Sequence, residues 1–373
     1  MDKTVRVLNV TTVLRAAGIE SFIMNMYRNV DRKKIQFDFM VMRDEKEFYD
    51  EEIKSLGGRK FTISVSGKNT LLRIFKESIE LYKFLKKNPY QIVHIHYTTP
   101  LRAFYLFAAK KAGVPVRIYH SHSAEVSGKS NIKIKTYNFC KKKITKWATD
   151  YFACSKAAAE WMYDKDLINS GRVQIIFNGI DITRFAYNSK VREEIRKQLN
   201  IENNFIIAHT GRFLPQKNHH FIIDVFREVQ KIDPSSKLLL LGEGQLQDEI
   251  QQKVNSLDLQ ENVIFLGVKK NVEDYLSAAD CYIMPSLYEG LPVAAVEAQC
   301  SGLPCVLSDN ITKEVALTEN TLFLSLDKPA EYWAEKILEF RQLSRIDGSD
   351  IIENNGYNIK LVAEKLQHTY MTM

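Results

Sequence analysis

Short apolar runs alternate with helical segments along almost the whole chain, and this alternation restricts the fold more than any other feature of the sequence. The runs that predict buried strands are Val5–Val10, Phe37–Val41, Lys60–Val65, Ile92–His96, Val116–His120, Tyr151–Cys154, Val173–Phe177, Phe205–Thr210, Lys237–Leu241, Val263–Phe265, Cys281–Met284, Pro304–Leu307 and Thr321–Leu324. Strands separated by helices predict parallel sheets with helices on both faces, since a parallel pair needs a crossover connection. The predicted fold class is therefore α/β, with doubly wound parallel sheets.

A charged helical segment, Tyr187–Asn204, separates two series of strands and marks a domain boundary. We place an N-terminal Rossmann-like domain at residues 1–186 and a C-terminal Rossmann-like domain at residues 187–355. A chain of 373 residues is long enough for two domains of ordinary size. Ligands of such sheets bind at the carboxyl ends of the strands, so the residues that follow each strand are the first candidates for a site.

The composition is that of an ordinary globular protein, with 45% hydrophobic and 26% charged residues. The longest apolar runs are far shorter than the roughly 18 residues of a membrane-spanning helix. The strand pattern starts almost at the N-terminus, so we expect no signal peptide. Five cysteines without a CxxC pair predict reduced thiols in a cytoplasmic protein.

The net charge of +7 is unevenly distributed along the chain. Lysines alternate with apolar and aromatic residues in the segment Lys129–Trp147, which we call the basic segment. Such a segment suits an anionic membrane surface, and a solvated helix face is the alternative. No nucleic-acid-binding motif accompanies the charge, so we predict no nucleic-acid partner.

One stretch, Pro285–Pro304, combines two acidic residues with an anion-binding helix terminus. Glu289 lies in the loop between a strand and a helix, and Glu297 lies inside the helix. Both carboxylates can accept hydrogen bonds from hydroxyl groups. The loop amides around Gly290–Val293 lie at the positive end of the helix, which favours an anion such as a diphosphate. Together these groups meet the needs of a nucleotide-sugar site.

Two cations follow the first strand of the second half of the chain. Gly211-Arg212 ends this strand, and Lys217 lies five residues further on. The guanidinium offers a fork to phosphate oxygens and the ammonium a point charge, and both can reach one diphosphate. Cations of this kind replace a metal, and neither the single D-x-D, at residues 164–166, nor any His/Cys spacing predicts one.

Polar residues also end two strands of the first half. His96 closes one strand and Thr98 lies in the following loop, and we predict that both contact the acceptor. His120 and His122 close the next strand. A histidine at this position can donate, accept or transfer a proton near neutral pH, or it can be a loop histidine bonded to the backbone.

The segment EGLPVAAVEAQCSGLPCV resembles the signature of retaining glycosyltransferases of family 4, which have the GT-B fold. Gly211-Arg212 with Lys217 matches the G-R-L-x3-K pattern of that family, with Phe213 in place of leucine. RIYHSHS and EGLPVAAVEAQ are most similar to enzymes of bacterial exopolysaccharide, capsule and O-antigen synthesis. The resemblance implies two Rossmann-like domains that face a cleft, with the acceptor bound by the first domain, residues 1–186, and the nucleotide-sugar donor by the second, residues 187–355. It also implies a C-terminal helix, about residues 356–373, that packs back on the first domain.

The resemblance also implies roles for single residues. Glu289 would bind hydroxyls of the donor sugar and Glu297 the ribose. Arg212 and Lys217 would hold the diphosphate and offset charge on the leaving group. The residues assigned to catalysis are Arg212, Lys217, Glu289 and His122.

The family has a single histidine that contacts the donor sugar. We place it on His122, with His120 as the alternative, because the register is ambiguous by two residues. The residues assigned to donor binding are Gly18, His120, Gly211, Val268, Gly290, Leu291, Pro292, Val293 and Glu297.

The expected function is that of a retaining hexosyltransferase. Its donor would be a nucleotide sugar, a UDP-sugar, and its acceptor an oligosaccharide on a polyprenyl diphosphate lipid. It would need no metal or other cofactor and would lie in the cytoplasm, peripheral at the inner face of the plasma membrane. The alternatives are a GT-B transferase with a soluble acceptor, an epimerase or phosphorylase on the same fold, and a non-catalytic GT-B subunit that stabilises a partner.

Overall fold

The computed structural model describes residues 4–15, 18–44, 46–67, 69–123 and 131–373. The strands are β1 (Val5–Val10), β2 (Ile35–Val41), β3 (Arg59–Thr62), β4 (Ile92–Tyr97), β5 (Val116–Ser121), β6 (Asp150–Ala153), β7 (Val173–Ile175), β8 (Ile206–Thr210), β9 (Lys237–Leu241), β10 (Val263–Gly267), β11 (Cys281–Met284), β12 (Cys305–Ser308) and β13 (Thr321–Leu324). The helices are α1 (Gly18–Asn29), α2 (Asp50–Ser55), α3 (Thr70–Lys87), α4 (Ala103–Ala112), α5 (Asn131–Trp147), α6 (Lys156–Met162), α7 (Lys165–Asn169), α8 (Ile182–Phe185), α9 (Ser189–Leu199), α10 (His219–Ile232), α11 (Gln247–Ser256), α12 (Val272–Ala278), α13 (Val293–Cys300), α14 (Ala330–Leu338), α15 (Ser349–Asn354) and α16 (Ile359–Thr372). Short 3-10 turns lie at Pro100–Arg102, Pro215–Lys217, Lys313–Val315 and Glu339–Gln342.

The chain divides into two compact units. The first unit contains Met1–Gly179 and Ile359–Met373, and the second contains Ile180–Asn358. The sheet of the first unit has the strand order β3-β2-β1-β4-β5-β6-β7, with parallel pairing throughout. Its strand order reverses between β1 and β4, which is the switch point where ligands of doubly wound sheets bind.

The second unit repeats the same architecture with six parallel strands, in the order β10-β9-β8-β11-β12-β13. Its switch point lies between β8 and β11. The prediction of an α/β fold with two doubly wound parallel sheets is confirmed. The assignment of an acceptor-binding and a donor-binding domain to residues 1–186 and 187–355 stays a prediction.

The last helix, α16, belongs to the first unit. Its buried side chains, Ile359, Val362, Leu366 and Tyr370, recur every three or four residues and so form one face. This face joins the core that α1 forms with the sheet, and α16 lies against α1. The packing brings the end of α16 to the strands β4 and β5.

Candidate functional site

In the second unit, the loop after β8 lies against the loop after β11, because these two strands are parallel neighbours. The backbone N–H of Leu287 donates to the carbonyl oxygen of Gln216 at 2.8 Å. The side chain of Asn218 donates to the carbonyl oxygen of Pro285 at 3.2 Å. Asn218 has a φ of +57°, a left-handed conformation that asparagine tolerates, and it joins the 3-10 turn to α10. The turn thereby fixes the backbone position from which the Lys217 side chain extends.

Lys217 and Glu289 meet between these two loops. Lys217 Nζ lies 2.7 Å from Glu289 Oε1, and the side chains are only 18% and 10% exposed. The Gln216 amide donates to the other carboxylate oxygen of Glu289 at 3.2 Å and to the Tyr288 carbonyl oxygen at 2.9 Å. Two of the predicted site residues are therefore in direct contact, and a third side chain orients the carboxylate.

Arg212 lies on the same loop and is exposed. No hydrogen bond or ion pair to its guanidinium occurs among the described residues, whereas the Lys217 ammonium is paired. An exposed, unpaired guanidinium next to a strand end is free to bind an anion.

Little space is left beside Gly211. A Cβ at Gly211 would lie 3.0 Å from His209 Nε2 and 3.2 Å from the stem of Lys217. A Cβ at Gly242, which has a φ of +137°, would lie 2.1 Å from the Gly211 carbonyl oxygen. The loops after β8 and β9 thus touch backbone to backbone, and a side chain at Gly242 would displace them.

The loop after β9 also contacts the carboxyl end of β10. The N–H of Gly242 donates to the carbonyl oxygen of Gly267, the last residue of β10, at 2.9 Å. Val268 follows directly and is 69% exposed. Its position at the carboxyl end of β10 is compatible with the predicted contact to a base.

The loop before α13 presents unused amide groups. Pro292 precedes the helix and has no side chain that caps it. Among the described residues, the backbone N–H groups of Glu289, Gly290, Leu291 and Val293 donate to no protein acceptor. These donors and the helix dipole favour negative charge at this end of α13.

Glu297, on α13, is only partly accessible to solvent. Burial raises the pKa of its carboxyl to about 7, and the nearby charge of Arg184 only partly offsets this effect. Arg184 itself is paired with Glu273 at 2.7 Å. Within the described residues Glu297 has no hydrogen bond to Arg212 or Lys217. Of the four predicted charged residues, the structure therefore joins only Lys217 and Glu289 directly.

Two buried histidines that sequence reasoning did not use lie behind the loop after β8. His209 Nδ1 donates to the Ile283 carbonyl oxygen at 2.8 Å, and His219 stacks on Phe213 with ring centroids 4.1 Å apart. Burial lowers the pKa of both rings, to about 4 for His219. The two rings are therefore neutral at pH 7 and add no charge to the site. In the sequence, His209 shows as a polar residue within an apolar strand, whereas His219 begins α10 and carries no such signal.

In the first unit, four histidines lie together at the carboxyl ends of β4 and β5. The strands pair with His96 opposite His120, and His94 and His122 lie two residues away on the same face. Phe22 of α1 packs edge-on against His120 and His122, with ring centroids 5.0 and 5.1 Å away. The helix therefore holds two of the imidazoles in place.

Hydrogen bonds divide these histidines into two chains. His94 lies 2.6 Å from the Tyr370 hydroxyl and 3.2 Å from His120. His96 lies 3.0 Å from the Asn9 amide oxygen and 3.0 Å from His122. Burial lowers the pKa of all four rings, to about 3 for His122.

His96 was predicted to contact the acceptor, but it is 1% exposed and protein atoms take both of its ring nitrogens. We therefore reassign it to a supporting role. His120 is fully buried as well, whereas His122 is partly accessible. The structure thus favours His122 over His120 as the histidine that a ligand can reach. Thr98, in the loop after β4, is exposed.

Ring nitrogens of His94, His96 and His120 lie within 4.8 Å of one another, which is close enough to hold a metal ion. Sequence spacing did not predict this group, because its members come from two strands.

Gly18 begins α1 and is exposed, and a Cβ there would meet no atom within 4 Å. The packing of the described residues therefore does not require a glycine at this position.

Most of the basic segment forms α5, while Lys129 lies outside the described residues. Tyr137, Cys140 and Ile144 form its buried face. Ile132 and Phe139 are 79% and 52% exposed on the other faces. The exposed lysines of the helix are Lys135, Lys142 and Lys146.

Exposed apolar side chains of α3 and α4 extend this surface. Phe75 is 55% exposed and borders a hollow of about 320 Å³ that Phe104 and Phe107 also line. The Phe107 ring lies 4.9 Å from Trp147, and Lys143 lies over Trp147 and Phe139. We call this continuous region of α3, α4 and α5 the apolar-basic surface. None of the helices in the described part of the chain is both long and apolar enough to cross a membrane.

The sequence models of two families match the chain, one in each half. The model described as Glycosyltransferase Family 4 matches residues 16–184. The model described as Glycosyl transferases group 1 matches residues 191–357.

Named relatives cover most of the chain. The "Putative glycosyltransferase EpsF" of Bacillus subtilis (strain 168) is 36% identical over 338 residues, 89% of this chain and 86% of that protein. The "UDP-Gal:alpha-D-GlcNAc-diphosphoundecaprenol alpha-1,3-galactosyltransferase" of Escherichia coli is 26% identical over 358 residues, 91% of this chain and 90% of that protein. Among solved structures, Anabaena Alr3699/HepE in complex with UDP has a TM-score of 0.75 at 18% identity and covers 100% of both chains.

Proposed function

The chain belongs to the family 4 and group 1 glycosyltransferases and has the GT-B fold, and from this premise we propose that it transfers a sugar from a UDP-sugar to an oligosaccharide on a polyprenyl diphosphate lipid, with retention of anomeric configuration. The reaction would serve the synthesis of an exopolysaccharide, a capsule or an O-antigen. The observation that carries the proposal is the contact of Lys217 with Glu289 beside the unused amides of the loop before α13.

The donor half of the proposal rests on the second unit. Arg212, Lys217 and the amides of residues 290–293 supply positive charge and hydrogen-bond donors for a diphosphate. The Glu289 carboxylate accepts hydrogen bonds from sugar hydroxyls, and the Glu297 carboxylate accepts them from the ribose. Uridine as the base is supported by the UDP in the HepE structure.

The same groups account for the proposed chemistry. As the bond between the sugar and the diphosphate breaks, negative charge grows on the leaving phosphate, and Arg212 and Lys217 stabilise it. The acceptor hydroxyl attacks from the face that the leaving group vacates, and the donor phosphate takes up its proton. This sequence retains the configuration without a nucleophile from the protein. We propose that these cations do the work of a metal, so activity should persist after dialysis against a chelator.

The acceptor half of the proposal rests on the first unit. The Escherichia coli relative acts, by its name, on a sugar carried by diphosphoundecaprenol. An acceptor of this kind lies in a membrane, and the apolar-basic surface has the exposed aromatic and lysine side chains that bind anionic membrane interfaces. We therefore propose that the protein is peripheral at the cytoplasmic face of the plasma membrane.

A transfer assay tests the function. The purified protein is incubated with a panel of radiolabelled sugar nucleotides and a short polyprenyl-diphosphate oligosaccharide, and labelled lipid is extracted. We expect one UDP-sugar to give labelled lipid, with an α-linked product from an α-linked donor. Transfer to a soluble sugar alone would support the alternative with a soluble acceptor. No transfer with any donor, in a protein that binds UDP, would support a non-catalytic subunit.

Donor affinity should depend on pH through Glu297. An ionised carboxylate accepts two ribose hydroxyls better than a neutral one, and the pKa of Glu297 is raised to about 7. The ionised fraction then rises from about one tenth at pH 6 to about nine tenths at pH 8. We expect KM for the intact sugar nucleotide to fall several-fold over this range. Glu297→Gln should give a higher KM that is independent of pH, and a Gln variant that keeps the wild-type profile would contradict the assignment.

Vesicle binding tests the apolar-basic surface. Replacing Lys135, Lys142 and Lys146 by glutamate should lower the affinity for anionic phospholipid vesicles in co-sedimentation about a hundredfold or more, because each lysine contributes about 1 kcal/mol near an anionic surface. The control reverses Lys190 and Lys197, which are exposed on α9. Equal binding by both variants and the wild-type protein would rule out this surface as the membrane contact.

A further inference from the structure

One of the two histidine chains in the first unit has a defined direction, and it begins at Asn9 of β1. The Asn9 side-chain nitrogen points to the Val7 carbonyl oxygen, 3.5 Å away, which can only accept. The Asn9 amide oxygen therefore points to His96 Nε2, at 3.0 Å. Because an amide oxygen can only accept, His96 must donate from Nε2.

The direction continues from His96 to His122. A neutral imidazole carries one proton, so His96 with its proton on Nε2 has a lone pair on Nδ1. His96 Nδ1 lies 3.0 Å from His122 Nε2, so His122 donates from Nε2. The lone pair of His122 is then on Nδ1. Both rings are neutral at pH 7, since burial lowers the pKa of each.

We propose that Asn9 and His96 are positioning residues that hold His122 in the tautomer with a protonated Nε2, so that Nδ1 offers a lone pair to a hydroxyl of the carbohydrate substrate. No group among the described residues takes up His122 Nδ1. Phe22 packs edge-on against the ring and restricts its rotation. Only the identity of the ligand rests on the proposed function, because the tautomer follows from hydrogen bonds within the first unit.

The fixed tautomer restricts the substrate. A neutral nitrogen with a lone pair attracts a hydroxyl or an N–H group and gives no counter-charge to a carboxylate. The sugar position that meets His122 Nδ1 therefore carries a hydroxyl or an N–H group, as in a neutral hexose or an N-acetylhexosamine, and not the carboxylate of a uronic acid.

The second histidine chain provides a matched control. It runs from the Tyr370 hydroxyl through His94 to His120, and a hydroxyl can donate or accept, so its direction is not set. The Nε2 atom of His120 is buried and has no hydrogen-bond partner. Tyr370→Phe removes one hydrogen bond near the cluster without touching the chain that ends at His122.

A bound metal is the competing use of the same atoms. A cation shared by His94, His96 and His120 would replace the hydrogen bond between His94 and His120, and it would take a lone pair that His96 needs for His122. Metal analysis of the purified protein separates the two assignments. The hydrogen-bonded series Asn9–His96–His122, which we call the histidine relay, requires protein free of stoichiometric metal. One equivalent of zinc that is lost in His96→Phe would overturn the proposal.

Nitrogen-15 NMR of histidine-labelled protein reads the tautomer directly. His122 is assigned by comparison with His122→Gln, and its two ring nitrogens are then distinguished by their shifts and couplings. We expect a protonated Nε2 and an unprotonated Nδ1 in the wild-type protein and in Tyr370→Phe. Asn9→Leu and His96→Phe should give a mixture of the two tautomers. A wild-type His122 with its proton on Nδ1, or an unchanged tautomer in both relay variants, would overturn the proposal.

Kinetics test the role of the tautomer in the reaction. Loss of one oriented hydrogen bond in Asn9→Leu should lower kcat/KM for the sugar nucleotide about five- to tenfold, with less than a twofold change in Tyr370→Phe. UDP affinity should stay unchanged, since UDP lacks the sugar whose hydroxyl His122 Nδ1 is proposed to meet. A mixed tautomer with unchanged kcat/KM would overturn the role of His122 in sugar binding, while the transfer assay would still decide the proposed function.

Discussion

Replacing Arg212 by alanine is expected to lower kcat by about two to three orders of magnitude while the fold survives. Groups that stabilise charge on a leaving group contribute about 3–4 kcal/mol each to the barrier. Arg212 is exposed and its side chain has no partner among the described residues, so its removal leaves no buried group unsatisfied. Lys217→Ala should cost a similar factor and should also destabilise the fold slightly, because it leaves the partly buried Glu289 without its cation.

The matched control is Arg227→Ala. Arg227 is an exposed arginine on α10 of the same unit, and its replacement changes the net charge by the same amount. Single-turnover rates at saturating donor separate chemistry from binding, and circular dichroism checks the fold. Wild-type rates in Arg212→Ala or Lys217→Ala would remove that residue from the mechanism.

The free energy of unfolding is expected to fall steeply as the pH drops below about 6.5. Burial lowers the pKa of six histidines in the folded protein: His94, His96, His120, His122, His209 and His219. Below pH 6.5 the unfolded chain binds protons at these rings and the folded chain does not, so acid favours unfolding. Each ring contributes up to about 1.4 kcal/mol per pH unit. Glu297 has the opposite effect between about pH 4.5 and 7, because its raised pKa makes the folded protein bind a proton that the unfolded chain does not. It is a single group, so it offsets only one of the six rings.

The loss of free energy of unfolding summed over six such rings exceeds the stability of a typical domain within about two pH units. We therefore expect unfolding between about pH 6 and 4.5. Urea midpoints measured from pH 8 to 5 test this slope. His219→Phe should reduce the slope by one ring, because His219 already stacks on Phe213 and its nitrogens have no hydrogen-bond partner. His368→Phe, at an exposed position, is the control and should leave the slope unchanged. A stability that is flat from pH 7.5 to 5.5 would show that the buried rings take up protons without cost.

The strands were predictable because each is an apolar run that ends at a polar or turn residue. The differences between the predicted and the observed elements occur at the ends of these elements. The predicted strand Lys60–Val65 is shorter in the structure, where β3 ends at Thr62, because β3 is an edge strand with one neighbour. A 3-10 turn, Glu339–Gln342, directly follows α14. The sequence did not indicate the short helix α2, whose six residues contain too few turns to show a periodicity.

The candidate site was predictable in its residues and less so in its contacts. Spacing and charge identify Arg212, Lys217 and Glu289, but only the pairing of β8 with β11 shows that Lys217 and Glu289 touch. The raised pKa of Glu297 depends on burial that the residue type does not reveal. Predicted roles of these residues in catalysis stay predictions.

The histidine relay was not predictable, because its members lie far apart in the sequence. Asn9 and His96 lie on β1 and β4, and His122 directly follows β5, so the order of these strands in the sheet decides which ring nitrogens meet. Alternation along a strand indicates that His94 and His96 share a face, but it does not identify the residue across the sheet. The burial of His96 and its two hydrogen bonds to protein atoms, which led us to give it a supporting role, could not be read from the sequence for this reason.

A crystal structure of the protein with UDP tests the central claim most directly, which is that one diphosphate is held by the loops after β8 and β11. We predict that phosphate oxygens lie within hydrogen-bond distance of Arg212, Lys217 and the amides of residues 290–293, with the ribose hydroxyls on Glu297. Nucleotide bound elsewhere, or phosphates in this unit that neither Arg212 nor Lys217 touches, would contradict the account.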